Sequence, residues 1–245
     1  MKLTFAGSGD AFGSGGRFNT CFHIKTSETC FLIDCGSTSL VALNRLDIDL
    51  NAIDTILITH FHGDHFGGIP YFVLDAQFLS KRKTPLTIAG PPGLKDWYHK
   101  IMEATFAGST KPKLKFILNL IELPSNQTIP LTGFEVEAQH VVHGQPDQAF
   151  YGYRITAENK VIGYSGDTEW TDALIDIGEN ADIFIAEAYF YEKRVPYHLD
   201  FKTLQSKLPQ INPKRLILTH MSSDMLKQIA DIQYDSASDG LVIEI

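Results

Sequence analysis

The segment that decides the fold of this chain, residues 55–65, reads TILITHFHGDH. Its first five residues are typical of a strand that is buried on both faces, and three imidazoles and one carboxylate follow within the next six residues. In an extended chain His60 and His62 point to the same side. The glycine that follows them permits a turn, which brings Asp64 and His65 round from the other side. Neutral imidazole and carboxylate are ligands of zinc, manganese and iron, so this segment predicts a metal site.

Three more candidate ligands stand near the ends of other predicted strands. His143 and Asp167 each follow a β-rich run, and His220 closes the run LILTH, which echoes the earlier ILITH. Four ligands from a single loop cannot enclose two metal ions, whereas ligands from several strand ends can. A lone histidine or aspartate after a strand is a weak signal, because such an aspartate is more often a helix cap. Their occurrence together with the six-residue cluster predicts that all seven side chains converge on metal ions.

The order of these residues resembles the metallo-β-lactamase superfamily, whose pattern HxHxDH is followed by a distant His, an Asp and a last His. Asp34, in FLIDCG at residues 31–36, matches an early buried Asp of the same superfamily. The match spans essentially the whole chain, and within the superfamily it is closest to the ribonuclease Z branch. The resemblance implies an α/β (α+β) fold built as a four-layer αββα sandwich, with a two-metal site at the open edge between the sheets.

The resemblance also implies how the ligands are shared. Two divalent ions, most simply zinc with manganese or iron as alternatives, would hold a bridging hydroxide as the nucleophile. Asp34 would hydrogen-bond a ligand or the ligand loop, or else cap its own turn. The seven implied ligands are His60, His62 and His143 for one ion, Asp64, His65 and His220 for the other, and Asp167 between the two.

A later pair of residues is similar to the proton-donating machinery of the ribonuclease Z branch. The family segment HEAT reads AEAY at residues 186–189, and the family segment His-Ser-Thr reads HLD at residues 198–200. Glu187 and His198 are therefore retained, although their neighbours differ. The resemblance implies that His198 protonates the leaving oxygen and that Glu187 orients it, and Asp64 completes the predicted catalytic set. The alternatives are a surface histidine beside a Pro-Tyr turn and a structural carboxylate.

One departure from the ribonuclease Z branch concerns its substrate. Those enzymes insert a long Gly/Pro-rich arm that clamps tRNA, whereas only residues 144–166 separate His143 from Asp167 here. The formal net charge of −8 also argues against a protein that binds by neutralising polynucleotide phosphates. We therefore predict a small anionic ester as the substrate and do not expect tRNA to be a partner. A homodimer is suggested by the resemblance alone.

Three functions remain open from the sequence. The first is a metal-dependent phosphodiesterase, acting on small or cyclic nucleotide esters or on ribonuclease Z-like RNA. It is favoured because alkoxide leaving groups need the proton that His198 would supply. The second is a lactonase, thioesterase or arylsulfatase-type hydrolase of the same fold. The third is a regulatory or binding module that retains metal, which a complete set of seven ligands argues against.

The composition of the 245 residues sets the wider frame. Length and a hydrophobic share of 44% suit one globular domain over 1–245, with similar halves at roughly 1–120 and 121–245. Three cysteines without a CxxC pair indicate reduced thiols. The first residues lack the apolar core of a secretory signal, and no apolar run is long enough for a transmembrane helix. Together these features predict a cytoplasmic protein without a membrane segment.

Several other features receive weaker predictions. The loop Ser8–Phe18 is expected at the rim of the site, and residues 70–81 and 94–107 are expected to be helical. The basic runs 81–83 and 111–115 are expected to be solvated. Structural roles are predicted for His23, His99 and His140. Four aromatic residues are expected in the core or the pocket wall rather than under a nucleobase, namely Phe66, Tyr71, Phe150 and Tyr189.

Overall fold

The computed structural model describes residues 1–145 and 148–245. The strands of this described part are β1 (Lys2–Gly7), β2 (Cys21–Lys25), β3 (Cys30–Ile33), β4 (Thr55–Leu57), β5 (Leu86–Gly90), β6 (Leu118–Glu122), β7 (Thr128–Leu131), β8 (Phe134–His140), β9 (Tyr151–Ala157), β10 (Lys160–Tyr164), β11 (Ile183–Glu187), β12 (Leu216–Thr219), β13 (Asp235–Ser236) and β14 (Val242–Glu244). Its α-helices are α1 (Ser39–Arg45), α2 (Gly63–Phe66), α3 (Ile69–Leu74), α4 (Leu94–Thr105), α5 (Ala173–Gly178), α6 (Phe201–Ile211) and α7 (Ser223–Leu226).

The strands form two seven-stranded sheets with the same plan. The first has the order β14-β1-β2-β3-β4-β5-β6 and the second the order β13-β12-β11-β10-β9-β8-β7. Each sheet has three antiparallel pairings at one side and three parallel ones at the other, with the antiparallel side at β14 in the first sheet and at β7 in the second. The C-terminal strand β14 crosses back to pair with β1, so the end of the chain completes the first sheet.

Apolar side chains from the two sheets meet in a central core, where the rings of Phe31 and Phe134 stack at 4.1 Å. Helices α1, α3 and α4 cover the outer face of the first sheet, and α5, α6 and α7 cover that of the second. The predicted four-layer αββα sandwich is therefore confirmed. Across residues 1–145 and 148–245, none of the helices has the length and apolar character needed to span a bilayer.

The predicted helix over residues 70–81 is present in two parts. Helix α3 ends at Leu74, and a π-helical turn continues over Asp75–Leu79. The wider turn is closed by a hydrogen bond of 3.0 Å from Ser80 N to the carbonyl of Asp75. Periodicity could not show this change, because both helix types place similar faces on the core.

Arg82 corrects the prediction that the basic run 81–83 is solvated. Its two flanking lysines are exposed, but the Arg82 side chain is buried. The guanidinium donates to four backbone carbonyls, those of Leu50, Ile53, Thr84 and Pro85, at 2.6–3.1 Å. Only arginine offers several donors in a fixed planar fork, so Arg82 holds two loops together rather than binding a polyanion.

His23 gives the fold a sensitivity to acid. It is buried on β2, and burial together with Lys25 and Lys2 lowers its pKa to about 4. In the unfolded chain the pKa of this histidine is near 6.5, so below pH 6.5 the unfolded state binds more protons than the folded state does. Stability is therefore lost as the pH falls from about 6.5 to about 4. We expect the wild type to lose roughly 3 kcal/mol more than His23→Gln over this range, at about 1.4 kcal/mol per pKa unit. Urea unfolding of both proteins at several pH values measures the difference, and equal slopes would contradict the prediction.

Candidate metal centre

The candidate ligands stand at strand ends that meet along one edge of the sandwich. Asp34 directly follows β3, and His60 lies three residues beyond the end of β4. In the second sheet Asp167 lies three residues beyond β10, Glu187 is the last residue of β11, and His220 directly follows β12. Because β3 and β4 are parallel, as are β10, β11 and β12, the carboxyl ends within each sheet lie at the same edge.

The short helix α2 turns the HxHxDH segment as its spacing predicts. His62 is the extended residue before α2, and Asp64 and His65 lie within its single turn. The chain therefore changes from extended to helical between the two pairs of ligands. This change brings side chains from one six-residue segment into two different clusters.

The first cluster consists of His60, His62 and His143, whose ring nitrogens can approach within 4.8 Å of one another. The Nε2 atom of His143 lies 3.2 Å from Nδ1 of His62. The His143 Nδ1–H donates to the carbonyl of Tyr197 at 2.8 Å, which leaves Nε2 to face the cluster. The Nε2 atom of His60 is buried without a hydrogen-bond partner. Three ring nitrogens that converge on one small volume suit a metal ion.

The second cluster consists of Asp64, His65, Asp167 and His220. The Oδ2 atom of Asp64 lies 3.4 Å from His65 Nε2 and 3.3 Å from His220 Nε2. The Oδ2 atom of Asp167 lies 3.2 Å from His65 Nε2 and 3.3 Å from His220 Nε2. Two carboxylates and two imidazoles therefore converge on one small volume.

Asp167 lies between the two clusters. The same Oδ2 atom that contacts the second cluster is 3.7 Å from His143 Nε2 of the first. Its other oxygen, Oδ1, is buried without a hydrogen-bond partner, as is Nε2 of His60 in the first cluster. Buried polar atoms are normally satisfied, so these two atoms indicate that a ligand is needed at this point. Asp167 therefore contacts histidines of both clusters.

The mutual charges of these groups shift their pKa values strongly. Burial is the largest single influence and opposes charge, yet the surrounding carboxylates, Asp167 foremost, together outweigh it and raise the pKa of both His65 and His220 well above the ordinary value. The histidines in turn lower the pKa of Asp64 and of Asp167. Burial lowers the pKa of His60 well below the ordinary value, which keeps that ring neutral, as a metal ligand must be.

The charge of the whole centre suits two divalent cations. Four carboxylates lie buried or nearly buried around the histidines, and their joint formal charge of about −4 needs positive charge beside it. Two divalent ions would balance it while the histidines stay neutral. The four carboxylates are those of Asp34, Asp64, Asp167 and Glu187.

Asp34 hydrogen-bonds the ring nitrogen of His65 that does not face the second cluster. Its Oδ2 atom accepts a hydrogen bond from His65 Nδ1 at 2.7 Å, and its carboxylate also accepts from the amide and hydroxyl of Thr59 at 2.8–3.0 Å. The Thr59 hydroxyl in turn lies 3.1 Å from His60 Nδ1. Asp34 itself has a φ of 59°, an uncommon left-handed conformation that a non-glycine residue adopts at a cost. The carboxylate therefore fixes His65 with Nε2 directed at the centre.

Substitution of Asp34 by asparagine tests this support. The amide NH₂ can donate to His65 Nδ1, which favours the tautomer that carries its proton on Nε2 and blocks that atom as a ligand. We expect metal affinity to fall by about 10–100-fold, as measured by chelator competition. Asp54→Asn is the matched control, because Asp54 also accepts a hydrogen bond, from Thr29, away from the centre. An Asp34→Asn protein with wild-type metal affinity would show that the carboxylate does not orient His65.

Gly166 allows the Asp167 turn to pack against the neighbouring strand. Its φ is 60°, and a Cβ atom there would lie 2.4 Å from the carbonyl oxygen of Tyr151. Only glycine avoids both the strained backbone and the clash. The glycine in the SGD segment is thus required by the approach of Asp167 to the centre.

Glu187 and His198 form a second polar unit beside the clusters. The Nδ1 atom of His198 lies 2.5 Å from Oε1 of Glu187. The same carboxylate is fully buried and accepts hydrogen bonds from the amides of Thr168 at 2.9 Å and Leu199 at 3.2 Å. Burial opposes protonation of His198, but the hydrogen bond and charge of Glu187 outweigh it and raise the pKa of His198. The ring is held ready to carry a proton.

The position of this unit joins it to the metal centre. Glu187 Oε1 also lies 3.2 Å from Nδ1 of His220, an ion-pair contact. The side chain of His198 is a quarter exposed, and the ring of Tyr189 stacks on it at 4.4 Å. Since Nδ1 is engaged with Glu187, the free Nε2 of His198 is available to a substrate.

A cavity of about 260 Å³ opens onto these groups. The loop Ser8–Phe18 contributes Ala11 and Phe12 to its wall, at the rim position that the sequence predicts. Asp10 holds this loop through its bonds to the amides of Phe12 and Ser14. The remaining lining residues are His62, Asp64, His143, Asp167, Tyr189, Pro196, Tyr197, His198 and His220.

The structure also tests the predicted positions of the aromatic residues and shows two supporting groups that the sequence did not predict. Phe66 and Phe150 are buried, as predicted, but Tyr71 is exposed beside Phe106 and the prediction of a core or wall position is wrong. Sequence reasoning missed the supporting roles of Thr59 and of the Tyr197 carbonyl. A backbone carbonyl leaves no residue-type signal, whereas Thr59 could have been noted from its place beside His60.

The sandwich, with histidine and aspartate side chains gathered at its edge, defines a metal-dependent hydrolase of the metallo-β-lactamase fold. The model of the family described as Anti-Pycsar protein Apyc1 matches residues 1–238, and the chain belongs to that family. These findings confirm the predicted superfamily and the predicted class of enzyme.

Similar proteins extend this assignment. Ribonuclease Z of Methanosarcina acetivorans is 22% identical over 287 aligned positions, covering 96% of this chain and 92% of that one. Ribonuclease Z of Bacillus thuringiensis is 26% identical over 282 positions, covering 91% and 89%. The crystal structure of the short form of human tRNase Z has a TM-score of 0.81 and 26% identity, covering 100% of this chain and 99% of that one. Both sequence alignments are longer than the 245 residues of this chain, so those relatives contain segments without a counterpart here.

Proposed function

We propose that this hydrolase is a phosphodiesterase for small nucleotide-type esters, cyclic ones included, and that it works with two divalent ions. The observation that carries the proposal is the His198–Glu187 pair beside two clusters of metal-ligand type. An ester with an alkoxide leaving group needs both negative-charge stabilisation and a proton donor. The pair supplies the second requirement.

The ligand set supports the two-ion part of the proposal. His60, His62 and His143 would hold one ion, Asp64, His65 and His220 the other, and Asp167 both. When bound, two such ions supply a nucleophile at neutral pH and positive charge for the phosphoryl oxygens. Imidazole and carboxylate serve zinc, manganese and iron alike, and zinc is the first choice because catalytic zinc sites commonly use histidine and carboxylate ligands.

The chain's own residues would do the remaining work. His198 would give its Nε2 proton to the departing oxygen, and Glu187 would hold the ring in place and keep its pKa high. Tyr189 would limit the ring to one plane by stacking on it. Asp34 would keep His65 in the tautomer that leaves its Nε2 free.

Metal content and a substrate panel test the proposal together. We expect about two ions per chain, with turnover of bis-p-nitrophenyl phosphate and of 3′,5′-cyclic nucleotides that is lost on chelation and regained on adding metal. Faster turnover of a lactone, a thioester or an aryl sulfate would replace the phosphodiesterase by the second type of hydrolase. Fewer than about one tightly bound ion and no turnover of any ester would favour a binding module.

Transfer RNA is the second candidate substrate, because the relatives named above are ribonuclease Z and tRNase Z proteins. Against it stand the net charge of −8 and the short connection between His143 and Asp167, which leaves little room for a clamping arm. Incubation with a precursor tRNA that carries a 3′ trailer decides between them. Cleavage at the trailer that outpaces turnover of cyclic nucleotides would favour tRNA.

A further inference from the structure

A second cavity, of about 250 Å³, lies next to the metal centre and is bounded by aromatic rings. Its walls are Phe61, Pro92, Trp97 and Phe150, and His62, Gln148 and Ala149 complete the lining. We call this cavity the aromatic slot. The rings of Phe61 and Trp97 are stacked at a centroid distance of 5.7 Å with 22° between their planes. The two rings cover each other at this distance, and Lys100 Nζ lies 5.0 Å from the centroid of the Trp97 ring. Another flat group would therefore pack in the cavity against Pro92, Phe150 and the exposed parts of the two stacked rings, not between them.

The slot is both exposed and rigidly built. Trp97 is 42% exposed, which is unusual for so large an apolar side chain. It stands in the first turn of α4, and its amide donates to the carbonyl of Gly93 at 2.9 Å. Phe61 is held in place by an edge-to-face contact with the buried ring of Phe66, at a centroid distance of 5.3 Å. The aromatic surface is therefore presented by secondary structure rather than by a loose side chain.

The slot is continuous with the metal centre through one residue. His62 lines both this cavity and the cavity that contains His198. Phe150 lines the slot and also contacts the metal-ligand histidines, with its ring centroid 5.8 Å from that of His62 and 5.2 Å from that of His143. A molecule whose phosphate lies at the metal clusters can thus extend a substituent past His62 into the slot.

From this arrangement we infer that the aromatic slot binds the planar heteroaromatic ring of the phosphodiester, its nucleobase. The inference rests on the proposed phosphodiesterase function. His198 lines the other cavity and not the slot, so the base lies away from the oxygen that His198 protonates. In an acyclic diester this places the base on the non-leaving side, whereas in a cyclic nucleotide the base and the leaving oxygen belong to one nucleoside. Stacking on aromatic faces accepts every base, so the slot selects for a base without choosing strongly among bases. This differs from the expectation that the aromatic residues near the site serve only as wall.

Two esters with the same leaving group isolate the contribution of the slot. Thymidine 5′-(p-nitrophenyl phosphate) and methyl p-nitrophenyl phosphate both release p-nitrophenolate, but only the first carries a base on its non-leaving side. In Trp97→Ala we expect kcat/KM for the thymidine ester to fall by about 5- to 150-fold, the range that one lost base–aromatic stack gives. The methyl ester should be hydrolysed as by the wild type.

Two other aromatic substitutions serve as comparisons. Phe78 is 59% exposed on the π-helical turn and contacts Lys115, so Phe78→Ala is a matched control that should change neither ester. Phe12, 82% exposed, lies on the opposite wall of the metal-centre cavity. If Phe12→Ala rather than Trp97→Ala removes the preference for the thymidine ester, the base lies elsewhere and the inference is overturned.

A binding measurement separates this inference from the proposed function. The chain has two tryptophans, and Trp170→Phe leaves Trp97 as the only one. We expect thymidine 5′-phosphate to quench the fluorescence of that protein saturably, and inorganic phosphate not to do so. Quenching without any phosphodiester turnover would leave the slot standing and refute the proposed function. Turnover of both p-nitrophenyl esters at equal efficiency, without quenching, would refute the slot alone.

Discussion

Asp167→Ala is expected to abolish hydrolysis and to lower the metal content of the protein. Asp167 is the carboxylate whose Oδ2 lies within 3.7 Å of histidine nitrogens in both clusters, so its removal weakens both. Loss of a residue that only supports a ligand costs about 10–100-fold in affinity or activity, and loss of a ligand shared by two ions should exceed that range. Activity on a phosphodiester and bound metal per chain are the two measurements.

The control for Asp167→Ala must separate loss of metal from loss of fold. Asp176 is exposed on α5, and Asp176→Ala should keep full activity and full metal content. Asp167→Asn keeps the shape of the side chain but removes its charge, so it should also lose metal while its thermal unfolding stays cooperative. A fully active Asp167→Ala protein with undiminished metal would contradict the bridging role.

His198→Ala is the second substitution with a large expected effect, and that effect should depend on the leaving group. A proton donor typically contributes about 10²–10⁴-fold. We expect a loss of that size for cyclic nucleotides, whose alkoxide leaving group must be protonated. The loss should be much smaller for bis-p-nitrophenyl phosphate, because p-nitrophenolate departs without a proton. His198 belongs to a third group of metal-ligand type with Asp167, Glu187 and His220. Its Nδ1 is engaged by Glu187, however, and it is absent from the two clusters proposed to hold the ions, so metal content should not change.

His140 provides the matched control for His198. It is an exposed histidine on β8 whose ring packs against Tyr151 at 5.0 Å, and His140→Ala should leave both substrates unaffected. If His198→Ala reduces turnover of the two substrates by the same factor, His198 acts in binding or packing and not as the proton donor.

Much of the fold was predictable because its signals are local. The apolar run before His60 and the LILTH echo at residues 216–220 mark parallel strands that are buried on both faces, and both are strands in the structure. Signals that depend on partners were weaker. The two-residue strand β13 exists only by pairing with β12, and β14 joins the first sheet only by crossing the molecule. No local pattern encodes such pairings.

For the site, the sequence supplied the residue types and the structure supplied their distances. The spacing of HxHxDH predicts a turn between two pairs of ligands, and α2 makes that turn. The support of His65 by Asp34 at 2.7 Å and the contact of Glu187 with both His198 and His220 join residues far apart in the chain. The aromatic slot was not foreseen, because Phe61 and Trp97 are 36 positions apart in the sequence and their stacking depends on how α4 packs against the segment that follows β4.

The sequence by itself determined the class of the protein, because a metal centre needs specific donor atoms and the chain carries them in a rare local pattern that composition cannot produce by accident. Only the tertiary structure decided which donors face one another, which buried atoms are left without partners, and which aromatic surface stays open beside the centre. The physical reason is that donor identity is a property of single residues, whereas distance, burial and electrostatic potential are properties of segments brought together by the packing of two sheets.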